Sequence, residues 1–121
     1  MATSEATALR MLIIEDEMTI ALLIEDMVTD LGHEVVGLAM RLPQAMHLAS
    51  TAEIDFAIVD VNLDGRMSFP VADVLDSRGV PFIFATGYGL AGIEAPYRDR
   101  TVIKKPFGLS DLQRAIDRAA A

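Results

Sequence analysis

Five short apolar runs recur along the chain, at residues 11–14, 34–39, 56–59, 80–85 and 101–103, each separated from the next by a stretch of different character. Runs this short, and mostly continuous rather than alternating, suit strands covered on both faces. Between the first two, Ile20, Leu23, Ile24, Met27, Val28 and Leu31 recur at three-four spacing and Gly32 supplies a stop, which predicts a helix. A shorter helix over 43–50 turns Leu42, Met46 and Ala49 inward. Ser68 is placed to cap a third, with Pro70 in its first turn, Val71, Val74 and Leu75 facing in, and Gly79 as its stop. The last opens at Ser110, where Ser-Asp-Leu-Gln fits a capping box with Gln113 as return partner and Leu112, Ile116 and Ala119 or Ala120 face inward. Strands alternating with helices through short loops imply βαβ crossovers and a parallel sheet with helices on both faces. Residues 87–100 are different: Gly87, Gly89, Gly92 and Pro96 predict a short or unstable helix there.

Composition narrows what such a sheet can serve. A chain of 121 residues is one ordinary domain and can bury a core without staples. Cysteine is absent, which excludes disulfides and thiolate zinc sites. Ten Lys and Arg against eighteen Asp and Glu give a net charge of −8. That balance opposes nucleic-acid binding and suits a cation or a basic partner surface. No apolar run reaches the ~18 residues that would span a bilayer. The first residues are small and polar with Glu5 among them, unlike a secretory signal. The expected location is the cytoplasm, with no membrane contact, and residues 1–8 are expected to be a loose tail before a domain over 9–121.

Ligands of a parallel sheet bind beyond the carboxyl ends of its strands. Here those ends carry Glu15 and Asp16 after the first strand, Asp60 after the third, Thr86 after the fourth and Lys105 after the fifth. Three carboxylates brought together repel and raise one another's pKa. A hard divalent cation with oxygen ligands, Mg²⁺ or Mn²⁺, removes the conflict. A metal, a carboxylate, a hydroxyl and a lysine together serve phosphoryl transfer, with an aspartate as covalent acceptor. Singly, each residue has a plainer role: Asp60 a turn or cap residue, Glu15 and Asp16 a helix cap, Thr86 a satisfied strand-end hydroxyl, Lys105 a solvated charge. Their joint occurrence, in order and each at a strand end, favours the site.

The motifs "IIEDE" at 13–17, "DFAIVDVNL" at 55–63, "FATGYG" at 84–89 and "VIKKPF" at 102–107 resemble those of response-regulator receiver domains, over essentially residues 10–120. The resemblance implies a flavodoxin-like, doubly wound five-stranded parallel sheet of order 2-1-3-4-5. It implies Asp60 as phospho-acceptor, Glu15, Asp16, Asp60 and the main-chain carbonyl of Asn62 around the metal, Thr86 as switch hydroxyl and Lys105 as phosphate-pairing cation. It also implies a cis peptide between Lys105 and Pro106. The usual aromatic three residues before the lysine is Val102 here, and "VNLDGRMSFPVADVL" lacks the Met-Pro and later Gly of many relatives. With "FATGYG", these departures resemble the FATGUY group of stand-alone alphaproteobacterial receivers, often tied to general stress signalling. Tyr88, with a glycine on each side, is then the candidate to replace the missing switch aromatic.

The implied function is a single-domain response regulator of a two-component phosphorelay. It would take phosphate from a histidine kinase or phosphotransfer protein and act on a downstream protein partner or as a phosphate sink. The chain ending at residue 121 leaves no expected output domain, and the expected state is a monomer or weak dimer. A receiver of this kind can catalyse its own phosphorylation and dephosphorylation but is not a dedicated enzyme. A small aspartyl-phosphate hydrolase wants a second acid two residues after the nucleophile, where Asn62 stands. An adaptor working by docking alone would lack the acceptor, the acidic pair or the lysine. His33 and His47 are isolated from metal ligands, the seven methionines read as core filler, and Tyr97 with Arg98-Asp99-Arg100 reads as exposed loop.

Overall fold

The structure is a computed structural model that describes residues 8–87, 93, 97 and 100–120. Its elements in chain order are β1 (Arg10–Ile14), α1 (Met18–Asp30), β2 (Glu34–Ala39), α2 (Leu42–Thr51), β3 (Phe56–Asp60), β4 (Asn62–Leu63), β5 (Arg66–Met67), α3 (Phe69–Ser77), β6 (Phe82–Thr86), β7 (Val102–Lys104) and α4 (Leu109–Ala120). The parallel sheet has the order β2-β1-β3-β6-β7. With the two hairpin strands β4 and β5 set aside, this is the expected 2-1-3-4-5.

Successive strand side chains point to opposite faces, so a strand covered on both sides must be apolar throughout. Met11, Ile13, Phe56, Ile58, Ile83 and Ala85 pack with Ile24 and Val28 of α1 and Leu112, Ala115 and Ile116 of α4. Leu12, Ile14, Ala57, Val59, Phe82 and Phe84 pack on the other side with Ala45 and Ala49 of α2 and Val71, Ala72 and Leu75 of α3. All five residues of β3 and all five of β6 are buried, including the polar Asp60 and Thr86 at their ends.

α1 ends with Gly32 at φ 90°, a backbone angle that a side chain disfavours. Its apolar stripe is wider than the face the sheet covers. Ala21, Ile24 and Val28 are buried, while Leu23, expected to face in, is 54% exposed and Leu22 is 49% exposed.

Three local expectations are corrected. Ser68 holds the residue before α3, but its hydroxyl makes no cap bond and is buried without a partner among the described residues. α4 begins one residue before Ser110, and the carboxylate of Asp111 accepts the amide of Gly108 at 3.0 Å. The acid at the third helical position thus reaches back to the cap, while Gln113 donates to Asp117 at 2.8 Å instead. Tyr97 is half-buried rather than exposed. Its ring stacks on Phe69 with centroids 4.9 Å apart and lies edge-on to Phe84 at 6.0 Å. Its hydroxyl donates to Asp73. Arg100 lies over Phe82 at 5.4 Å and pairs with Asp76 at 2.7 Å. The short fourth helix, Tyr88 and the tail at residues 1–7 lie outside the described residues.

The aromatic stack yields a graded prediction. Phe69→Ala removes a ring that is 5% exposed and is expected to cost about 3 kcal/mol. Tyr97→Phe keeps the stack and is expected to cost about 1 kcal/mol or less. Urea unfolding with unchanged m-values checks both.

Candidate functional site

The sheet order decides what meets at its carboxyl edge. β3 is the central strand, flanked by β1 and β6, so the residues ending those three strands are neighbours. Ile14 pairs with Val59, which places Glu15 beside Asp60; Asp60 in turn pairs with Ala85, one residue before Thr86. Backbone bonds hold the ends in place: Glu15 N–H donates to Ala39 O at 3.0 Å, Val61 N–H to Ala85 O at 3.1 Å and Lys105 N–H to Thr86 O at 2.8 Å. The Lys105–Pro106 peptide is cis.

Glu15, Asp16 and Asp60 each offer a carboxylate oxygen, and these lie within 4.8 Å of one another. Glu15 is fully buried and Asp60 is 5% exposed, a setting in which each ion loses several kcal/mol of hydration. The ammonium of Lys105 bridges the two, 3.0 Å from Glu15 Oε1 and 3.3 Å from Asp60 Oδ2. The other oxygen of Glu15 accepts the amide of Glu17 at 3.1 Å. Asp16, half-buried, accepts the amide of Asp64 at 3.0 Å. A cleft of about 440 Å³ opens over the cluster, lined by Asp16, Asp60, Asn62, Met67, Thr86 and Lys105 among others. Thr86 is 3% exposed and reaches this cleft with its strand end.

The electrostatics follow from burial. Loss of water and then the charge of Glu15 push the Asp60 carboxyl up to about 7, against the opposing pull of Lys105. Burial works to lower the Lys105 pKa, but Asp60 and Glu15 together outweigh it and hold the ammonium above its usual value. Partial burial would raise Asp16, yet the Asp64 amide and the neighbouring groups bring it below the ordinary range. The donor set is all oxygen, anionic and short of positive charge, which fits a hard divalent cation.

Four of the five side chains placed at strand ends by sequence, Asp16, Asp60, Thr86 and Lys105, line one cleft, and Asn62 lines it too. The fifth, Glu15, is fully buried beside it, with a carboxylate oxygen within 4.8 Å of those of Asp16 and Asp60. Asn62 also uses its side-chain oxygen to accept the amide of Gly65 at 2.7 Å. The β4–β5 hairpin, whose Asp64 contacts Asp16, is not among the elements expected from the apolar periodicity. The dipeptide Asp64-Gly65, a frequent two-residue hairpin turn, was the available signal. Met67 of β5 was likewise not foreseen at the rim of the cleft.

This arrangement of sheet and acidic cleft defines a signalling receiver. The chain belongs to the response regulator receiver domains, a family that matches residues 11–117. It is 35% identical to SdrG from Sphingomonas melonis Fr1, whose solution structure superposes with a TM-score of 0.85 over 96% of this chain and 99% of that one. It is 37% identical to the phyllosphere-induced regulator PhyR of Methylorubrum extorquens and 31% identical to the transcriptional regulatory protein PdtaR of Mycobacterium tuberculosis, over 93% of its own length in each case. It spans 43% of that PhyR and 57% of that PdtaR. These relatives are regulators, and the FATGUY-type departures fit the SdrG and PhyR neighbours. No helix among the described residues is long and apolar enough to cross a membrane.

A pH test follows with a definite sign. Unfolded, Asp60 gives up its proton near the ordinary carboxylate value of 3.8; folded, it keeps it to about 7. The folded form is the better proton binder between those values, so this group's contribution to stability is lost as pH rises through that window. Without divalent cation, Asp60→Asn is expected to flatten that part of the stability profile. It is also expected to raise the melting temperature at pH 8 by a few degrees. Thermal unfolding of both proteins from pH 4 to 8 in chelator makes the comparison.

Proposed function

We propose that the chain works as a single-domain response regulator that accepts a phosphoryl group on Asp60. The observation that carries this reading is the Lys105 ammonium held between Glu15 and Asp60 at the carboxyl edge of the sheet. Glu15, Asp16, Asp60 and the carbonyl of Asn62 are the groups that would hold Mg²⁺ or Mn²⁺, which when bound supplies positive charge against the carboxylates and the incoming phosphoryl oxygens. The phosphoryl donor is the phosphohistidine of a kinase or phosphotransfer protein. An Asp60 oxygen forms the new P–O bond as the donor P–N bond breaks, and the imidazole nitrogen keeps the bonding pair. Lys105 exchanges its bond to the Asp60 carboxylate for one to a phosphoryl oxygen, and the Thr86 hydroxyl donates to another. Tyr88, between Gly87 and Gly89, takes the switch role for which Val102 is too small.

One feature supports a protein as donor. Ile20 and Lys105 line both the acidic cleft and an adjacent apolar groove of about 250 Å³ between α1 and Phe107. A donor reaching Asp60 therefore lies against Leu23 and Met27 as well. The output is proposed to be a contact with a downstream protein in the cytoplasm, or the draining of phosphate from a shared kinase. A role in general stress signalling draws on a neighbour 32% identical, described as the PhyR stress response regulator. This chain covers 46% of that structure. Stand-alone action draws on SdrG, of which this chain covers nearly the whole.

Intact mass after incubation with Mg²⁺ and acetyl phosphate is expected to gain one phosphoryl group in the wild type and none in Asp60→Asn. Uptake by that variant to wild-type extent contradicts the assignment. Leu23→Glu is expected to keep uptake from acetyl phosphate while slowing transfer from a phosphohistidine protein at least about tenfold, the loss of roughly 1.4 kcal/mol of contact.

A further inference from the structure

The β4–β5 hairpin is tied to the cation-binding acids in a way the phosphoryl chemistry does not itself require. It leaves the acceptor strand immediately after Asp60 and closes at its base where Ser68 N–H donates to Val61 O at 2.9 Å. Leu63, 1% exposed, anchors it in the core. Asn62 pairs with Met67 and Leu63 with Arg66 in antiparallel register. The two turn residues both have positive φ, 54° at Asp64 and 86° at Gly65. That combination is the mirror-image turn matching the twist of a tight hairpin. Asn62 Oδ1 accepts the Gly65 amide at 2.7 Å and stiffens the turn from inside.

The consequence is the direction of the Asp64 amide. In this turn it donates to Oδ2 of Asp16 at 3.0 Å, across 48 residues of sequence. A carboxylate with one oxygen held by a fixed donor turns its other oxygen to a cation. Single-oxygen coordination suits Mg²⁺, which demands a near-octahedral shell at close range, whereas Ca²⁺ readily takes both oxygens of one carboxylate. Hydrogen bonds to metal ligands set their orientation and typically change metal affinity ~10–100-fold when removed.

We propose that the β4–β5 hairpin is a specificity device for the metal site: its Asp64 amide holds Asp16 in one-oxygen presentation and so selects Mg²⁺ over Ca²⁺. The inference rests on the reading of Glu15, Asp16 and Asp60 as the cation site. Gly65 is the positioning residue, because its φ of 86° sets the turn. A Cβ added there meets nothing within 4 Å, so substitution acts through backbone strain and not through a clash. The exposed pair of Arg41 with Asp64, at 3.6 Å, is incidental to the device, since the donor is main chain.

The test is calorimetric titration of the metal-free protein with MgCl₂ and separately with CaCl₂, at matched ionic strength. The wild type is expected to prefer Mg²⁺. Gly65→Val is expected to lose Mg²⁺ affinity by about tenfold with Ca²⁺ affinity held or raised, which lowers the ratio of the two. Gly65→Asn, a residue that tolerates positive φ, is expected to restore the wild-type ratio, and Asp64→Gly, which keeps the amide, to preserve it. In an Asp16→Asn background the hairpin substitution is expected to leave the ratio unchanged. Gly65→Ala carries the same measurement if the valine variant does not fold. A ratio unchanged to within about twofold in the strained variant overturns the inference while leaving the cation site standing. A wild type that binds neither ion at millimolar concentration overturns the cation site as well.

Discussion

Everything at the carboxyl edge of the sheet follows from holding three carboxylates and one ammonium together where two of the acids are out of water. Glu15 is fully buried and Asp60 nearly so, and their oxygens lie within 4.8 Å of that of Asp16. Burial of unpaired charge on this scale is too costly for a domain of ordinary stability. Lys105 offsets part of it through bonds of 3.0 and 3.3 Å to Glu15 and Asp60. The remainder appears as a protonation equilibrium at Asp60 close to neutrality. Such a site has an unmet demand for positive charge: the proposed cation meets it, and the proposed phosphoryl group, which adds negative charge, depends on that cation and on Lys105.

The fold provides the placement through one topological fact. A strand order with β3 central puts Asp60 between the end of β1 and the end of β6. The register does the rest, through Ile14 with Val59 and Asp60 with Ala85. The two faces of the sheet are filled separately, by α1 and α4 on one side and α2 and α3 on the other. The edge is therefore the part of the sheet left open to a ligand. The same packing leaves the outer part of the α1 stripe uncovered, next to the cleft, where Leu23 is 54% exposed.

Much of this was legible because two-sided burial writes itself as continuous apolar runs, and because the run ends carry the chemistry. The strand over 34–39 was bounded as observed, and Glu15, Asp16, Asp60, Thr86 and Lys105 were all placed at one edge. What escaped were features set by geometry rather than by period. Strands of two residues, as in β4 and β5, are too short to show alternation, so the hairpin was marked only by Asp64-Gly65. At α4, Ser110 looked like a cap, but Asp111 could reach the Gly108 amide and the helix started one residue earlier. Tyr97 read as loop because nothing local shows that Phe69, far along the chain, offers it a ring at 4.9 Å. Leu23 read as core because helical spacing gives the width of a stripe and not the width of the surface that covers it.

The most direct measurement of the central claim is the ionisation of Asp60 itself, followed by its side-chain carboxyl ¹³C shift in the metal-free protein and again with Mg²⁺. Charge crowding at a buried edge predicts a midpoint near 7 without metal, moving to markedly lower pH when the cation is present. A midpoint in the ordinary carboxylate range, unmoved by Mg²⁺, would contradict the account.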